Sequence, residues 1–224
     1  MALIKETRNV QGFTDVVLRG YGTLVVEQDP GLAGKETLLI EADDIVMPRI
    51  EAEVQGRRLV LGIRMPWYEW MSFGINWIFL PHKGIRYHLH AAAINGLGIG
   101  GAGRITCPTL TTDTCRLSIG GAGSLVIDRM QAKEVEAEIT GAGRIRCAGS
   151  AETLRAHVSG SGRVKAEELV VRGASVNITG SGRVAVHAEQ TLDARVSGSG
   201  LVEYRGSPAV STRVTGSGRI LHLD

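Results

Sequence analysis

The chain has 224 residues, 43% of them apolar, 4% aromatic and 30 of them glycine, so its core must be filled by Val, Ile, Leu and Ala rather than by rings. Basic and acidic side chains number 25 and 23, and a net charge of +2 excludes a polyanion binder that works through bulk charge. Three cysteines give no disulfide framework, and no apolar run reaches the ~20 residues that span a bilayer.

No apolar leader precedes Lys5-Glu6, so a cytoplasmic location is expected, with a membrane-associated or cell-surface one as the alternative. Two segments in the first 90 residues, VVLRGYGTLVV (16–26) and AEVQGRRLVLGI (52–63), share a valine–glycine–apolar rhythm. They predict wide, irregular coils with insertions, and QDPGLAGK (28–35) predicts a turn-rich loop.

Residues 66–81, PWYEWMSFGINWIFLP, hold six of the ten aromatics. Trp67, Trp70, Met71, Gly74, Trp77 and Ile78 fall on one helical face, and Phe73 and Phe79 add to the apolar content. The plain reading is a cap over the side or open end of a stack. The same residues suit a subunit interface, hence a homo-oligomer, and less readily a membrane interface, where more Lys and Arg is usual. His88 and His90 flank Leu89 on a strand near His82, a spacing that suits a metal. A solvated strand face is the commoner outcome, and no metal or cofactor is expected.

Between residues 98 and 218 one phrase recurs seven times: IGGAGRI, IGGAGSL, ITGAGRI, VSGSGRV, ITGSGRV, VSGSGLV and VTGSGRI. Its paired glycines are Gly101 and Gly103, Gly121 and Gly123, Gly141 and Gly143, Gly160 and Gly162, Gly180 and Gly182, Gly198 and Gly200, Gly216 and Gly218. Steps of 18 to 20 residues mean a stacked array in which each unit buries its apolar face against its neighbours. Around each phrase apolar residues alternate, Leu117, Ile119, Leu125 and Ile127 against Ser118 and Val126, which is the period of a strand. Each glycine pair therefore marks a corner between strands, and the architecture is an all-β solenoid with coils ~4.8 Å apart. A single domain over residues 1–224 is predicted, irregular over 1–90 and regular over 91–224. Cys107 and Cys147 fall two coils apart, ~9.6 Å and beyond bridging distance, so they should be free, buried and inert.

Arg104, Arg144, Arg163, Arg183 and Arg219 share the position after the corner, interrupted by Ser124 and Leu201; Arg146 and Lys165 lie two residues on. Arg144, Arg146, Arg163, Lys165 and Arg183 form a candidate anion-binding stripe, since arginine forks suit carboxylate, sulfate or phosphate. The plain alternative is a solvated ladder compensated by glutamates such as Glu138 and Glu203. No aromatics interleave with the arginines, so no specific nucleic-acid partner is expected.

Catalytic signatures are missing from the sequence: neither G-x-S-x-G nor H-E-x-x-H occurs. Gly98, Gly100 and Gly103 satisfy G-x-G-x-x-G, but a strand follows rather than a helix, so they belong to repeat corners. Glu134, Glu136 and Glu138 share a strand face, which more often keeps that face wet than cleaves a bond.

The opening Arg8-Asn-Val10, then Gly12-Phe13-Thr-Asp-Val16, Gly20-Tyr-Gly-Thr-Leu-Val-Val-Glu-Gln28 and Val54-Gln-Gly-Arg-Arg-Leu-Val-Leu61, followed by the Gly-Ser-Gly coils, resembles the bacterial auto-transporter adhesin, head GIN domain family. That resemblance implies a right-handed parallel β-helix without recognised catalytic residues and a role in adhesion. Relatives commonly have a leader segment, and often an acidic residue where this chain has arginine; the aromatic insert looks peculiar to this chain. The reading is a non-enzymatic interaction scaffold and homo-oligomer. The rivals are an acidic-glycan or polyanion binder (or glycan-active enzyme) using the arginines, and membrane attachment through the tryptophans.

Overall fold

The computed structural model describes residues 2–64 and 84–223. Alternation of buried and outward residues on both sides of each corner, broken by outward pairs midway, makes each repeat an extended coil running from one glycine corner to the next. These coils are β9 (Arg104–Gly121), β10 (Ser124–Gly141), β11 (Arg144–Gly160), β12 (Arg163–Gly180) and β13 (Arg183–Gly198), each paired in parallel with its neighbour. The stack continues through β14 (Leu201–Arg205), β15 (Ala209–Gly216) and β16 (Arg219–His222). The result is a parallel β-solenoid of about 6 turns. Inward Val, Ile, Leu and Ala build one continuous core from Val10 to Val202, each large aliphatic side chain contributing roughly 1.5–3 kcal/mol.

The two glycines of a corner are required for different reasons. Gly180 has φ +114°, and a Cβ there would stand 2.7 Å from the carbonyl oxygen of Gly160. That oxygen accepts the amide of Ser181 at 2.8 Å, so it cannot move aside without breaking the ladder. At Gly182 the obstacle is the core: a Cβ would lie 2.5 Å from Val158 Cγ1 on the coil below. The same pair of obstacles, neighbouring backbone then neighbouring core, recurs from Gly101 and Gly103 to Gly216 and Gly218.

Stacking also fixes the thiols. Ile127 lies opposite Cys107 on one coil and Cys147 on the other, and all three cysteines are buried and free. Burial pushes Cys107 and Cys147 up to about 12, and raises Cys115 as well.

The N-terminal part is threaded out of sequence order. Strands β2 (Asp15–Gly20) and β3 (Thr23–Gln28) form a coil with the corner Gly20-Tyr21-Gly22, as the 16–26 echo predicts. On one side of it stack β8 (Gly96–Gly101) and the start of β9. On the other lie β6 (Arg58–Ile63) and β7 (Arg86–Ala91), so a later segment forms the more distal coil. The 52–63 echo is instead a hairpin: β5 (Ile50–Gln55) pairs antiparallel with β6, and only β6 joins the parallel stack. Strands β4 (Thr37–Asp43) and β1 (Leu3–Asn9) continue the β7 face in antiparallel fashion, covering the end of the core. The 28–35 loop holds a short 3₁₀ turn, Pro30–Leu32, capped by the Asp29 carboxylate accepting the Gly31 amide.

Register also shows which strands the aromatic insert connects in sequence. Leu18 pairs with Leu61 and Thr23 with Arg86, so residues 64–85 connect two strands whose counterparts in the adjacent coil are joined by the two-residue corner Tyr21-Gly22. Trp67, Trp70, Met71, Phe73, Trp77 and Phe79 themselves lie outside the described residues.

Candidate functional site: the glycine-corner ridge

The arginines after the corners stand in register on successive coils. Arg144 pairs with Arg163 and Arg163 with Arg183; Ser124 separates Arg104 from Arg144, and Leu201 separates Arg183 from Arg219. The same column extends through Thr23 to Arg86, a continuation that the irregular N-terminal sequence conceals. Each arginine backbone is pinned by the second glycine of the preceding corner: the Arg144, Arg163 and Arg183 amides donate to the carbonyls of Gly123, Gly143 and Gly162 at 2.9, 2.9 and 3.0 Å. All three side chains are exposed.

Behind them, Arg146 pairs with Lys165 in the next outward column. Arg146 donates through Nη2 to both Glu168 carboxylate oxygens, at 2.9 and 3.2 Å, and this partner raises its pKa. The expected compensators, Glu138 and Glu203, make no ion pair among the described residues, and the charge of Glu138 acts on Arg116 instead. Arg144, Arg163, Lys165 and Arg183 likewise have no carboxylate within ion-pair distance among the described residues.

The far side of the coils is arranged the other way. A surface groove of about 490 Å³ there is lined by Thr111, Gln131, Ser150 and the column Asp113, Lys133, Glu152, Arg172. Charge alternates from coil to coil, and Lys133 Nζ sits 2.8 Å from Asp113 Oδ1. Unit charges one coil apart interact by about 0.9 kcal/mol in water. The far column turns that term into attraction, whereas the corner column leaves it as repulsion. The Glu134–Glu138 row is also engaged: Arg116 Nε donates to Glu136 at 2.9 Å, and Arg155 lies 3.9 Å from Glu134. His90 Nδ1 is 3.3 Å from Glu27, and no cluster of three metal-ligating side chains occurs among the described residues.

A profile described as "putative auto-transporter adhesin, head GIN domain" matches residues 12–208. The chain belongs to that family. Solved structures of like fold include a putative adhesin from Bacteroides fragilis, 23% identical with a TM-score of 0.87, covering 99% of this chain and 97% of the other. A protein named putative lipid binding protein from Parabacteroides distasonis is 20% identical, TM-score 0.77, covering 99% and 97%. A putative adhesin from Parabacteroides merdae is 19% identical, TM-score 0.75, covering 99% and 96%. No functionally curated protein matches the sequence. Membership in this head GIN domain family agrees with the solenoid and its glycine corners, which lie mostly within the matched span.

Proposed function

We propose that this head GIN domain is a non-catalytic recognition scaffold of the adhesin type, working at a cell surface. The family's description favours that location over the cytoplasmic expectation. No helix among the described residues is long and apolar enough to cross a membrane. The observation that carries the reading is the corner ladder: hydrogen bonds of 2.8–3.0 Å from coil to coil hold exposed side chains in straight rows. The backbone of these rows is pre-organised for recognition, so the ordering cost on contact falls on the side chains alone. A catalytic role has less support, since the carboxylates of the Glu134–Glu138 row are taken up in part by Arg116 and Arg155.

A panel of immobilised glycans and matrix proteins tests this. Saturable binding to a small set, with no release of reducing ends or peptide fragments, is the expected result. Turnover of a bound member would overturn it.

The aromatic segment supports a second contact. In sequence it links β6 to β7, and its Trp67, Trp70 and Trp77 suit a homo-oligomer interface better than a membrane.

A further inference from the structure

We infer that the ridge at Arg144, Arg163 and Arg183 binds a linear acidic polysaccharide carrying about one carboxylate or sulfate per sugar; this rests on the recognition reading above. Three consecutive coils, their backbones about 4.8 Å apart, place an arginine at the same register position without a carboxylate partner among the described residues. The fold does not impose such an arrangement. The far column of the same coils alternates in sign, and Arg146, one column behind the ridge, takes Glu168. The corner row thus sets three successive like charges side by side with no carboxylate partner among the described residues.

The hydroxyls beside that row point to sugars. From the third repeat onward each corner reads Thr or Ser, Gly, small residue, Gly, followed by Arg except at Leu201, and the small residue changes from Ala142 to Ser161, Ser181 and Ser199. Ser161 and Ser181 are exposed and, among the described residues, have no side-chain hydrogen-bond partner. Each coil thus offers one fork for an anion and one or two hydroxyls for a sugar oxygen, repeating at the coil spacing. A free sulfate or phosphate engages one fork, whereas a polymer engages several in line, so avidity selects the polymer. An anionic bilayer meets a ridge only along a line of headgroups. Single-stranded nucleic acid lacks the aromatic platforms it needs beside this row.

The test is binding of the 224-residue chain to immobilised polygalacturonate and to heparin. Arg144→Gln/Arg163→Gln/Arg183→Gln is compared with a control of equal charge change elsewhere, Arg155→Gln/Arg172→Gln/Arg205→Gln. We expect retention of the parent at low salt, with affinity falling at least about tenfold between roughly 50 and 200 mM salt. The ridge variant should lose more than about tenfold and the control less than about threefold. A galacturonate oligomer should compete, and the monomer or inorganic sulfate should not. Equal losses in both variants, competition by sulfate alone, or binding to phosphatidylglycerol vesicles but to neither polymer overturns the assignment. Binding to a neutral glycan instead removes the acidic ligand and leaves the scaffold reading standing; turnover of the polymer removes the scaffold reading and leaves the ridge.

Discussion

Gly180 rests against Gly160 so closely that the older coil's carbonyl oxygen lies 2.7 Å from where a Cβ on Gly180 would stand. That contact sets the register of the arginine row, because the corner hydrogen bonds run through the same glycines.

Gly180→Ala should destabilise the fold by about 2–3 kcal/mol, combining a strained positive φ with a backbone clash. Gly120 provides the contrast: its φ is not positive, its Cβ would meet only Ile99 O at 4.0 Å, and its partner on the next coil is Thr140. Gly120→Thr should therefore change stability by less than about 0.5 kcal/mol. Urea midpoints of the two variants decide; equal losses would mean that the corners are not the register device.

Val196 and Val214 occupy the same column on adjacent coils, yet one is 2% exposed and the other 43%. Val196→Ala should cost about 2 kcal/mol, and Val214→Ala less than about 1 kcal/mol, in denaturant melts. A comparable loss at both positions would show that the last coil is covered in solution.

The three thiols should ignore a maleimide at pH 8 in the native state and react in full once unfolded. Burial raises the Cys107 and Cys147 pKa values from 9.0 to about 12. Raised values give a stabilising contribution that is complete below about pH 9 and is lost as pH climbs toward 12. Thermal melts should accordingly fall above pH 9, and rapid native labelling at pH 8 would contradict the buried placement.

Replacing Trp70 and Trp77 with serine should shift the sedimentation coefficient of the chain while leaving its far-ultraviolet spectrum of β-structure intact. An unchanged sedimentation profile removes the aromatic segment as a subunit contact. Loss of co-sedimentation with liposomes instead assigns it to lipid.

The repeat region was legible because its glycines, spaced 18 to 20 residues apart, mark each corner directly, and the column containing Arg144, Arg163 and Arg183 follows by counting from them. The N-terminal threading was not, because the stacking of Leu61 on Leu18 and of Arg86 on Thr23 depends on long-range partner choice that no local period encodes. The hairpin at residues 52–63 imitates a coil in sequence, since both need apolar alternation and a glycine turn. Two further special glycines escaped notice: Gly149 (φ +126°) and Gly206 (φ +91°) sit away from the repeated phrase, where a Cβ would collide with the carbonyls of Met130 and Ala188 respectively. Ion pairing was equally hidden. Glu168, which answers Arg146, is placed by a register shift between Arg146 and Ala148 that corner counting does not include.

The most direct measurement of the account is adhesion under flow of beads coated with the parent chain, the ridge variant or the control variant, on a polygalacturonate surface. Parent and control beads should hold while ridge-variant beads wash away. Equal attachment of all three, or of none, would contradict a recognition scaffold that works through its glycine-corner ridge.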